Sequence, residues 1–275
     1  MLRARREWRL PGRSATVIPW PRLAETYKTF DEAAATCGPG YNDPGLAASV
    51  LERSQAIFDN PPDLDPESAL LYFALAYTAG QISHRPLCIA DVGGEFGLHA
   101  RICQARFPQW TQKWAIIENS TFAQAGAAAE TDSIRIFADI DAARLWLGRI
   151  DLLFSSGAVQ YLRDPIQSIK AAVETNAPIQ FWQRLAIASG KRAVVVQVSL
   201  LSDNAHGPLP EGFVNREIRY PRTFLTETEF LNCFAERYRT VVKIPGSRTS
   251  PDGLARLGGS FLFESRQRNT GERST

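Results

Sequence analysis

Short apolar runs alternate with helix-forming segments through the middle of the chain. Each run has the length and composition of a buried strand, and each is followed by turn-forming residues and then by a stretch that suits a helix. Strands that alternate with helices predict an α/β protein with a doubly wound, mostly parallel sheet and helices on both faces. The four runs are residues 87–90 (L-C-I-A), 114–117 (W-A-I-I), 134–137 (I-R-I-F) and 150–155 (I-D-L-L-F-S).

The C-terminal half contains four more apolar runs that predict strands. These are residues 179–183, 193–201, 238–244 and 260–264. Residues 202–222 form a long polar connection with several Pro and Gly residues. Because such connections are uncommon in a compact domain unless they serve a function, we treat this one as a functional insertion.

Helices are expected before the first strand and at several later positions. Residues 30–37, 46–58 and 68–80 have helical composition or spacing. Later in the chain, Asp164 is expected to cap a helix that begins at Pro165. A further helix at residues 226–234 opens with a capping box of Thr226 and Glu229.

These patterns divide the chain into four parts. Residues 1–29, which contain Pro11, Pro19 and Pro21, are expected to be an irregular arm, and residues 30–85 a helical cap. Residues 86–265 form the α/β core, and residues 266–275 are expected to be a disordered tail.

A glycine-rich turn follows the first strand of the core. Asp91 ends the strand, and Gly93, Gly94 and Gly97 form the turn before a helix. Open α/β sheets bind nucleotide-like ligands at such turns, beyond the carboxyl ends of their strands. The turn is therefore the candidate centre of a ligand-binding site.

Two ligand templates fit this turn with one mismatch each. The dinucleotide fingerprint requires a glycine where the chain has Val92, and the pattern D-x-G-x-G-x-G requires one where it has Glu95. Asp91 favours the second pattern, because a carboxylate suits a cationic ligand better than a pyrophosphate. S-adenosylmethionine carries an ammonium and a sulfonium and has no phosphate, so it is the expected cofactor.

Acidic residues at two later strand ends suit a nucleoside. Glu118 lies about 27 residues after Asp91, where a carboxylate can accept hydrogen bonds from both ribose hydroxyls. Phe137 ends the third strand and is placed to lie against the adenine. Asp139 either reaches the adenine amine or caps the following helix.

Three further residues are assigned to the cofactor site. Ser156 and Gly157 break the fourth strand at the expected position of the sulfonium. Tyr41, in the turn C-G-P-G-Y-N-D-P-G, is either a lid over the cofactor or an aromatic anchor for its loop.

The composition of the chain argues against several classes of binding partner. A net charge of +2 in 275 residues gives no reason to expect nucleic acid, and no apolar run approaches the length of a membrane span. The four cysteines and three histidines show no metal-ligand spacing, so no metal is expected. Free thiols predict a reducing, cytoplasmic compartment.

Taken together, the motifs L-C-I-A-D-V-G-G-E-F-G, W-A-I-I-E, I-F-A-D and I-D-L-L-F-S-S-G-A-V-Q-Y-L-R-D-P resemble those of Rossmann-like (class I) S-adenosylmethionine-dependent methyltransferases. The chain also resembles a family of inferred bacterial methyltransferases associated with surface-polysaccharide gene clusters. The resemblance implies a seven-stranded sheet with one antiparallel strand near the C-terminus, either residues 238–244 or 261–264. It assigns Asp91, Gly93 and Gly97 to the methionine end, Glu118 to the ribose and Asp139 to the adenine.

The expected reaction is methyl transfer to a small molecule or glycan, with oxygen as the expected acceptor atom. An oxygen acceptor benefits from a general base. His206, in the loop N-A-H-G, is the leading candidate, and His99 is an alternative. Gln160 and Tyr161 either orient the acceptor or simply begin a helix.

Two other functions remain open from the sequence. A nicotinamide-dependent oxidoreductase is disfavoured by Val92 and by the lack of a Tyr-x-x-x-Lys pair, since Pro165 stands four positions after Tyr161. A non-catalytic interaction subunit is kept open by Glu95 and by the lack of an obvious base. The expected assembly is a monomer or homodimer.

Overall fold

The computed structural model describes residues 22–62, 66–250 and 253–267. Its eight helices are short to medium in length, and they surround two sheets. They are α1 (Phe30–Ala34), α2 (Pro44–Gln55), α3 (Pro66–Gln81), α4 (Leu98–Arg106), α5 (Ser120–Ala125), α6 (Ile140–Leu147), α7 (Pro165–Glu174) and α8 (Glu227–Asn232).

The eleven strands of the described residues form the two sheets. They are β1 (Arg22–Tyr27), β2 (Leu87–Val92), β3 (Gln112–Ile117), β4 (Ile134–Phe137), β5 (Leu152–Ser156), β6 (Ile179–Ala188), β7 (Ala193–Leu200), β8 (Glu217–Phe224), β9 (Tyr238–Ile244), β10 (Arg248–Thr249) and β11 (Ala255–Ser265).

The large sheet has the order β4-β3-β2-β5-β6-β11, and β9 and the two-residue β10 both pair with β11. Strands β2 to β6 are parallel, and β11 runs antiparallel to both β6 and β9. This arrangement confirms the predicted Rossmann-like α/β fold. The expected number of seven strands is wrong, because the two-residue β10 adds an eighth strand at the edge of this sheet in the described residues. Of the two candidates for the antiparallel strand, β11 is the correct one.

Both faces of the large sheet are buried by helices. One face, with Ile89, Phe154 and Phe181, packs against residues of α2, α3 and α4. The other, with Ala90 and Trp182, packs against residues of α6, α7 and α8. Successive residues of a strand point to opposite faces, so the parallel strands carry buried apolar side chains on both faces, as strands covered on both sides do.

Helix starts follow the predicted capping chemistry. Asp164 accepts a hydrogen bond from the backbone nitrogen of Gln167, and Pro165 is the first residue of α7. Thr226 and Glu229 form the reciprocal capping box of α8. Both predictions are confirmed.

A separate three-stranded antiparallel sheet, with the order β1-β7-β8, lies outside the large sheet. β7 contributes side chains to two clusters: Val194 and Val196 pack with Ala33 of α1, and Val195 packs with Phe224 and Leu257. Because both faces of β7 are covered, its unbroken valine run does not require a place in the large sheet.

This small sheet corrects two expectations from the sequence. The irregular arm expected over residues 1–29 is wrong for Arg22–Tyr27, which pairs with β7, and residues 1–21 lie outside the described residues. The connection expected over residues 202–222 ends in β8, which pairs with β7 from Glu217 onward. Of the tail expected at residues 266–275, the described part ends at residue 267.

The described residues contain neither a membrane-spanning helix nor a cluster of metal ligands. Within residues 22–62, 66–250 and 253–267, no helix combines the length and apolar character that crossing a membrane requires. The same residues contain no group of three or more His, Cys, Asp or Glu side chains arranged to hold a metal ion.

Candidate functional site

Asp91 lies fully buried at the carboxyl end of β2. One carboxylate oxygen, Oδ2, is 3.2 Å from Nδ1 of His99, whose side chain is on the first turn of α4. The other, Oδ1, has no hydrogen-bond partner in the described part of the chain. Because a buried acceptor without a donor is costly, this oxygen is suited to a ligand's N–H group.

The glycine turn closes tightly over Asp91. A Cβ atom on Gly94 would lie 2.4 Å from Oδ2 of Asp91, so only glycine fits there. Gly93 has φ +76°, and a Cβ on it would lie 2.1 Å from Cβ of Ala158. Gly97 precedes α4 and faces Ile134 of β4. The turn after β2 is thus packed against the turn after β5.

Glu118 follows β3 and is joined to this turn. Its Oε1 accepts a hydrogen bond of 2.9 Å from the backbone nitrogen of Glu95, and its Oε2 accepts one of 3.2 Å from that of Asn119. The pKa of Glu118 is raised to about 7, chiefly by burial and also by the nearby charges of Glu95 and Asp91, while these two hydrogen bonds lower it. Contact of this carboxylate with a ribose stays a prediction.

Partly buried apolar side chains lie at the next strand ends. Val92, Ile117, Phe137 and Ile140 border the core on the face of α6, and Phe137 lies 5.7 Å from the ring of Trp146. Together they can form an apolar slot for a planar base.

Asp139 caps a helix. Its Oδ1 accepts a hydrogen bond of 2.8 Å from the backbone nitrogen of Ala142 at the start of α6, and the residue is exposed. Of the two roles open from the sequence, the structure shows the cap. Contact with the adenine amine stays a prediction.

Ser156 ends β5 in a buried position beside Gln183 of β6. The amide nitrogen Nε2 of Gln183 donates to Oγ of Ser156 at 3.2 Å, while Oε1 of Gln183 has no partner among the described residues. The backbone nitrogen of Gly157 donates to the carbonyl oxygen of Gln183 at 3.0 Å. A Cβ on Gly157 would lie 3.5 Å from Cβ of Arg184, so the arginine lies directly over this glycine.

Tyr41 belongs to a group of three tyrosines. Its ring stacks on Tyr220 of β8 at 4.2 Å and meets Tyr161 edge-on at 5.3 Å. Its carbonyl oxygen accepts a hydrogen bond from Nδ2 of Asn119, the residue after Glu118. Burial raises the pKa of Tyr41 well above its ordinary value, so the ring is an uncharged, anchored wall of the site. Contact with the cofactor stays a prediction.

Tyr161 and Gln160 are held by neighbouring strands. The hydroxyl of Tyr161 donates to Oε1 of Gln197 at 2.9 Å, and Arg222 donates to the same oxygen. Gln160 is buried, and its Oε1 accepts from the backbone nitrogen of Ala186 at 2.9 Å. Gln160 is therefore hydrogen-bonded to the backbone of β6 and stabilises its position. Neither side chain's proposed contact with an acceptor is visible, and both stay predictions.

His206 is exposed in the connection between β7 and β8. Arg53 of α2, itself buried, donates to the carbonyl oxygens of Ala205 at 2.8 Å and Gly207 at 3.0 Å, on either side of the histidine, and to that of Ser202 at 2.9 Å. The loop is thus fixed on α2. A catalytic role for His206 stays a prediction.

Several site residues were not anticipated from the sequence. Tyr220, Arg222 and Gln197 come from the small sheet, whose place in the fold has no local signal. Arg53 could have been noticed as a charged residue on the apolar side of α2, three positions after Val50.

The sequence matches no protein family profile and no curated protein. Among solved structures, it is similar to the 1,6-didemethyltoxoflavin-N1-methyltransferase of Burkholderia thailandensis, with a TM-score of 0.46 and 15% identity over 90% of this chain and 94% of that one. It is also similar to an amino pentose methyltransferase from Micromonospora echinaspora, with a TM-score of 0.46 and 13% identity over 79% of this chain and 97% of that one. A sugar N-methyltransferase from Streptoalloteichus sp. matches with a TM-score of 0.45 and 16% identity, over 76% of this chain and 90% of that one. All three likenesses are distant.

Proposed function

We propose that this chain is an S-adenosylmethionine-dependent methyltransferase acting on a small molecule or glycan. The observation that carries the proposal is the unpartnered Oδ1 of Asp91, buried under a glycine turn at the centre of the sheet's carboxyl edge. An ammonium group offers such an oxygen the charged donor that it lacks. A phosphate would be repelled by the same carboxylate.

The residues at the carboxyl ends of the neighbouring strands are suited to bind a nucleoside next to that ammonium group. Glu118 presents a carboxylate one strand away, and the apolar slot near Phe137 lies one strand further. The order ammonium, ribose and base matches the order of groups in S-adenosylmethionine. When bound, that cofactor supplies a methyl group already activated by its sulfonium.

The acceptor side is formed by the tyrosine group and the ends of β5 and β6. Tyrosine rings suit the apolar faces of a sugar or a planar molecule, and Ser156 and Gln183 add polar groups at the expected sulfonium position. The chain's task is to hold acceptor and methyl in line, an effect worth about 7–11 kcal/mol in such reactions.

We propose an oxygen atom as the acceptor, a cytoplasmic location and a monomer or homodimer as the assembly. A glycan acceptor agrees with the sequence resemblance to a family associated with surface-polysaccharide gene clusters.

Calorimetric titration tests the cofactor assignment. S-adenosylmethionine, S-adenosylhomocysteine and NADH are titrated into the wild type, into Glu118→Ala and into Glu236→Ala, a control at an exposed carboxylate. We expect both sulfur nucleosides to bind the wild type and the control, to be lost in Glu118→Ala, and NADH not to bind. Folded protein that binds neither sulfur nucleoside contradicts the proposal, and cofactor binding without turnover of any acceptor favours an interaction subunit.

A further inference from the structure

Glu95 occupies the one turn position where the cofactor pattern expects glycine. Its φ is +53°, in the left-handed region that non-glycine residues seldom adopt. Glycine would hold the same conformation without strain. Strained residues persist mainly where the surrounding structure holds them for a function, so the glutamate side chain itself requires an explanation.

Two contacts fix where Glu95 stands. Its backbone nitrogen donates to Glu118 at 2.9 Å, which ties it to the ribose side of the site. The turn that contains it packs against the turn after β5, through the close approach of Gly93 to Ala158. Glu95 therefore lies between the proposed ribose position and Gly157, on the rim where the sulfonium is placed.

The side chain of Glu95 is partly buried, and its carboxylate makes no hydrogen bond with any described residue. Burial raises the pKa of this carboxyl group, and the charges of His99, Arg184 and Arg53 partly oppose that effect. The charge of Glu95 in turn affects the pKa values of groups on the proposed cofactor side and on the proposed acceptor side of the site. The groups near enough to affect the pKa of Glu95, or to have their own pKa affected by its charge, are Asp91 of β2, Glu118 after β3, His99 of α4, Arg53 of α2, Arg184 of β6, Tyr41 before α2 and Tyr220 of β8.

These groups surround the proposed meeting point of cofactor and acceptor. Asp91 and Glu118 belong to the cofactor side, whereas Tyr41 and Tyr220 belong to the acceptor wall. A carboxylate between them, with an oxygen left for a new partner, can accept a proton from a group that enters the acceptor side. A raised pKa also brings a carboxyl group closer to the working pH of a general base.

We propose that Glu95 is the residue that accepts the acceptor's proton, and that the proposed oxygen acceptor is therefore a hydroxyl group. In the step, the acceptor atom forms a bond to the methyl carbon and the carbon–sulfur bond breaks. The sulfur keeps the electron pair, and the proton of the acceptor passes to the carboxylate of Glu95. This inference rests on the proposed function.

Sinefungin allows a test without an identified acceptor. In this analogue of S-adenosylmethionine, an amine-bearing carbon replaces the methyl-bearing sulfonium, so its amine stands where the methyl group would stand and its N–H groups point toward the acceptor side. The methyl group of S-adenosylmethionine carries the charge of the sulfonium but has no N–H to donate. The difference in affinity between sinefungin and S-adenosylmethionine therefore reports a hydrogen bond from the methyl position to a group on the acceptor side.

The two compounds and S-adenosylhomocysteine are titrated into the wild type, Glu95→Gln and Glu95→Gly. We expect the wild type to bind sinefungin at least about tenfold more tightly than S-adenosylmethionine, as for a charge-assisted hydrogen bond. Both variants should lose this preference and keep their affinity for S-adenosylhomocysteine within about threefold. Glu95→Gly restores the pattern glycine and removes the strain, so it also serves as the control for folding.

The outcomes separate the two proposals. Equal binding of sinefungin and S-adenosylmethionine to the wild type, or a preference that survives in Glu95→Gln, overturns the role of Glu95 and leaves the cofactor assignment in place. Folded protein that binds none of the three compounds overturns the proposed function, and this inference with it.

Discussion

Oε1 of Glu118 lies 2.9 Å from the backbone nitrogen of Glu95, so a side chain at the end of β3 is hydrogen-bonded to the turn after β2. The same carboxylate is the proposed partner of the ribose hydroxyls. Hydroxyl donors require its ionised form, whereas burial favours its protonated form. Cofactor binding is therefore coupled to the ionisation of Glu118.

The affinity for S-adenosylhomocysteine should rise with pH up to about 7, where Glu118 titrates, and change little above it. Below that pH, we expect a change approaching tenfold per pH unit. Calorimetry at several pH values, in buffers of different ionisation enthalpy, measures both the affinity and the protons released on binding. Glu118→Gln should bind weakly at every pH. An affinity of the wild type that is constant across this range would contradict the coupling.

The unliganded protein should show the opposite dependence. The pKa of Glu118 is raised from 4.5 in the unfolded chain to about 7 in the folded one, so the folded state binds more protons between these values. The contribution of Glu118 to the free energy of unfolding therefore falls as pH rises through this window. Urea unfolding of the wild type and Glu118→Gln at pH 5 and pH 7 checks the sign, because the variant should lose less stability.

Gly93→Ala should destabilise the fold by about 2–5 kcal/mol, from a left-handed backbone and a clash with Ala158. Gly80→Ala is the matched control. Gly80 lies within α3, and a Cβ there meets nothing within 4 Å, so the substitution should stabilise by up to about 1 kcal/mol. Denaturant unfolding of both variants measures the difference. Similar changes in the free energy of unfolding for Gly93→Ala and Gly80→Ala would show that the close packing of the two turns is not important for stability.

Asp91→Ala should weaken cofactor binding by about tenfold or more and leave the fold intact. The unliganded variant should be at least as stable as the wild type, because it removes a buried oxygen that has no donor. Calorimetry and thermal unfolding measure the two effects, with Asp132→Ala as an exposed control. A large loss of stability would mean that Asp91 serves the fold rather than a ligand.

Arg53→Met should destabilise the protein by about 2–4 kcal/mol, because three carbonyl oxygens lose a buried charged donor. It should also expose the loop around His206 to proteases. Arg144→Met, at an exposed pair with Asp141, should change stability by no more than about 0.5 kcal/mol. Limited proteolysis and urea unfolding compare the two. Unchanged proteolysis in Arg53→Met would show that other contacts hold the loop.

The local features of this protein could be predicted from its sequence. The parallel strands, the turn after Asp91 and the caps at Asp164 and Thr226 each depend on residues close together in the chain. Asp139 shows the limit of such reasoning, because the pattern admitted both a ligand contact and a cap, and only the cap is visible.

The small sheet and the tyrosine wall could not be predicted. The valine run of β7 suits a buried strand in any sheet, and nothing nearby indicates that it pairs with Arg22–Tyr27 and Glu217–Phe224. Tyr220 reaches Tyr41 only because of that pairing. Side chains brought together by distant segments give no signal in a local pattern.

The pairing of Arg22 with Val198 sets an order of events during synthesis. β1 is synthesised before its partner β7, which follows only after the five parallel strands, and β8 comes later still. Pairings between such distant segments form slowly, because a long loop must close first. The carboxyl edge of the parallel strands can therefore form before the tyrosine group is assembled, and β1 stays unpaired, as an exposed strand edge, until β7 has been synthesised.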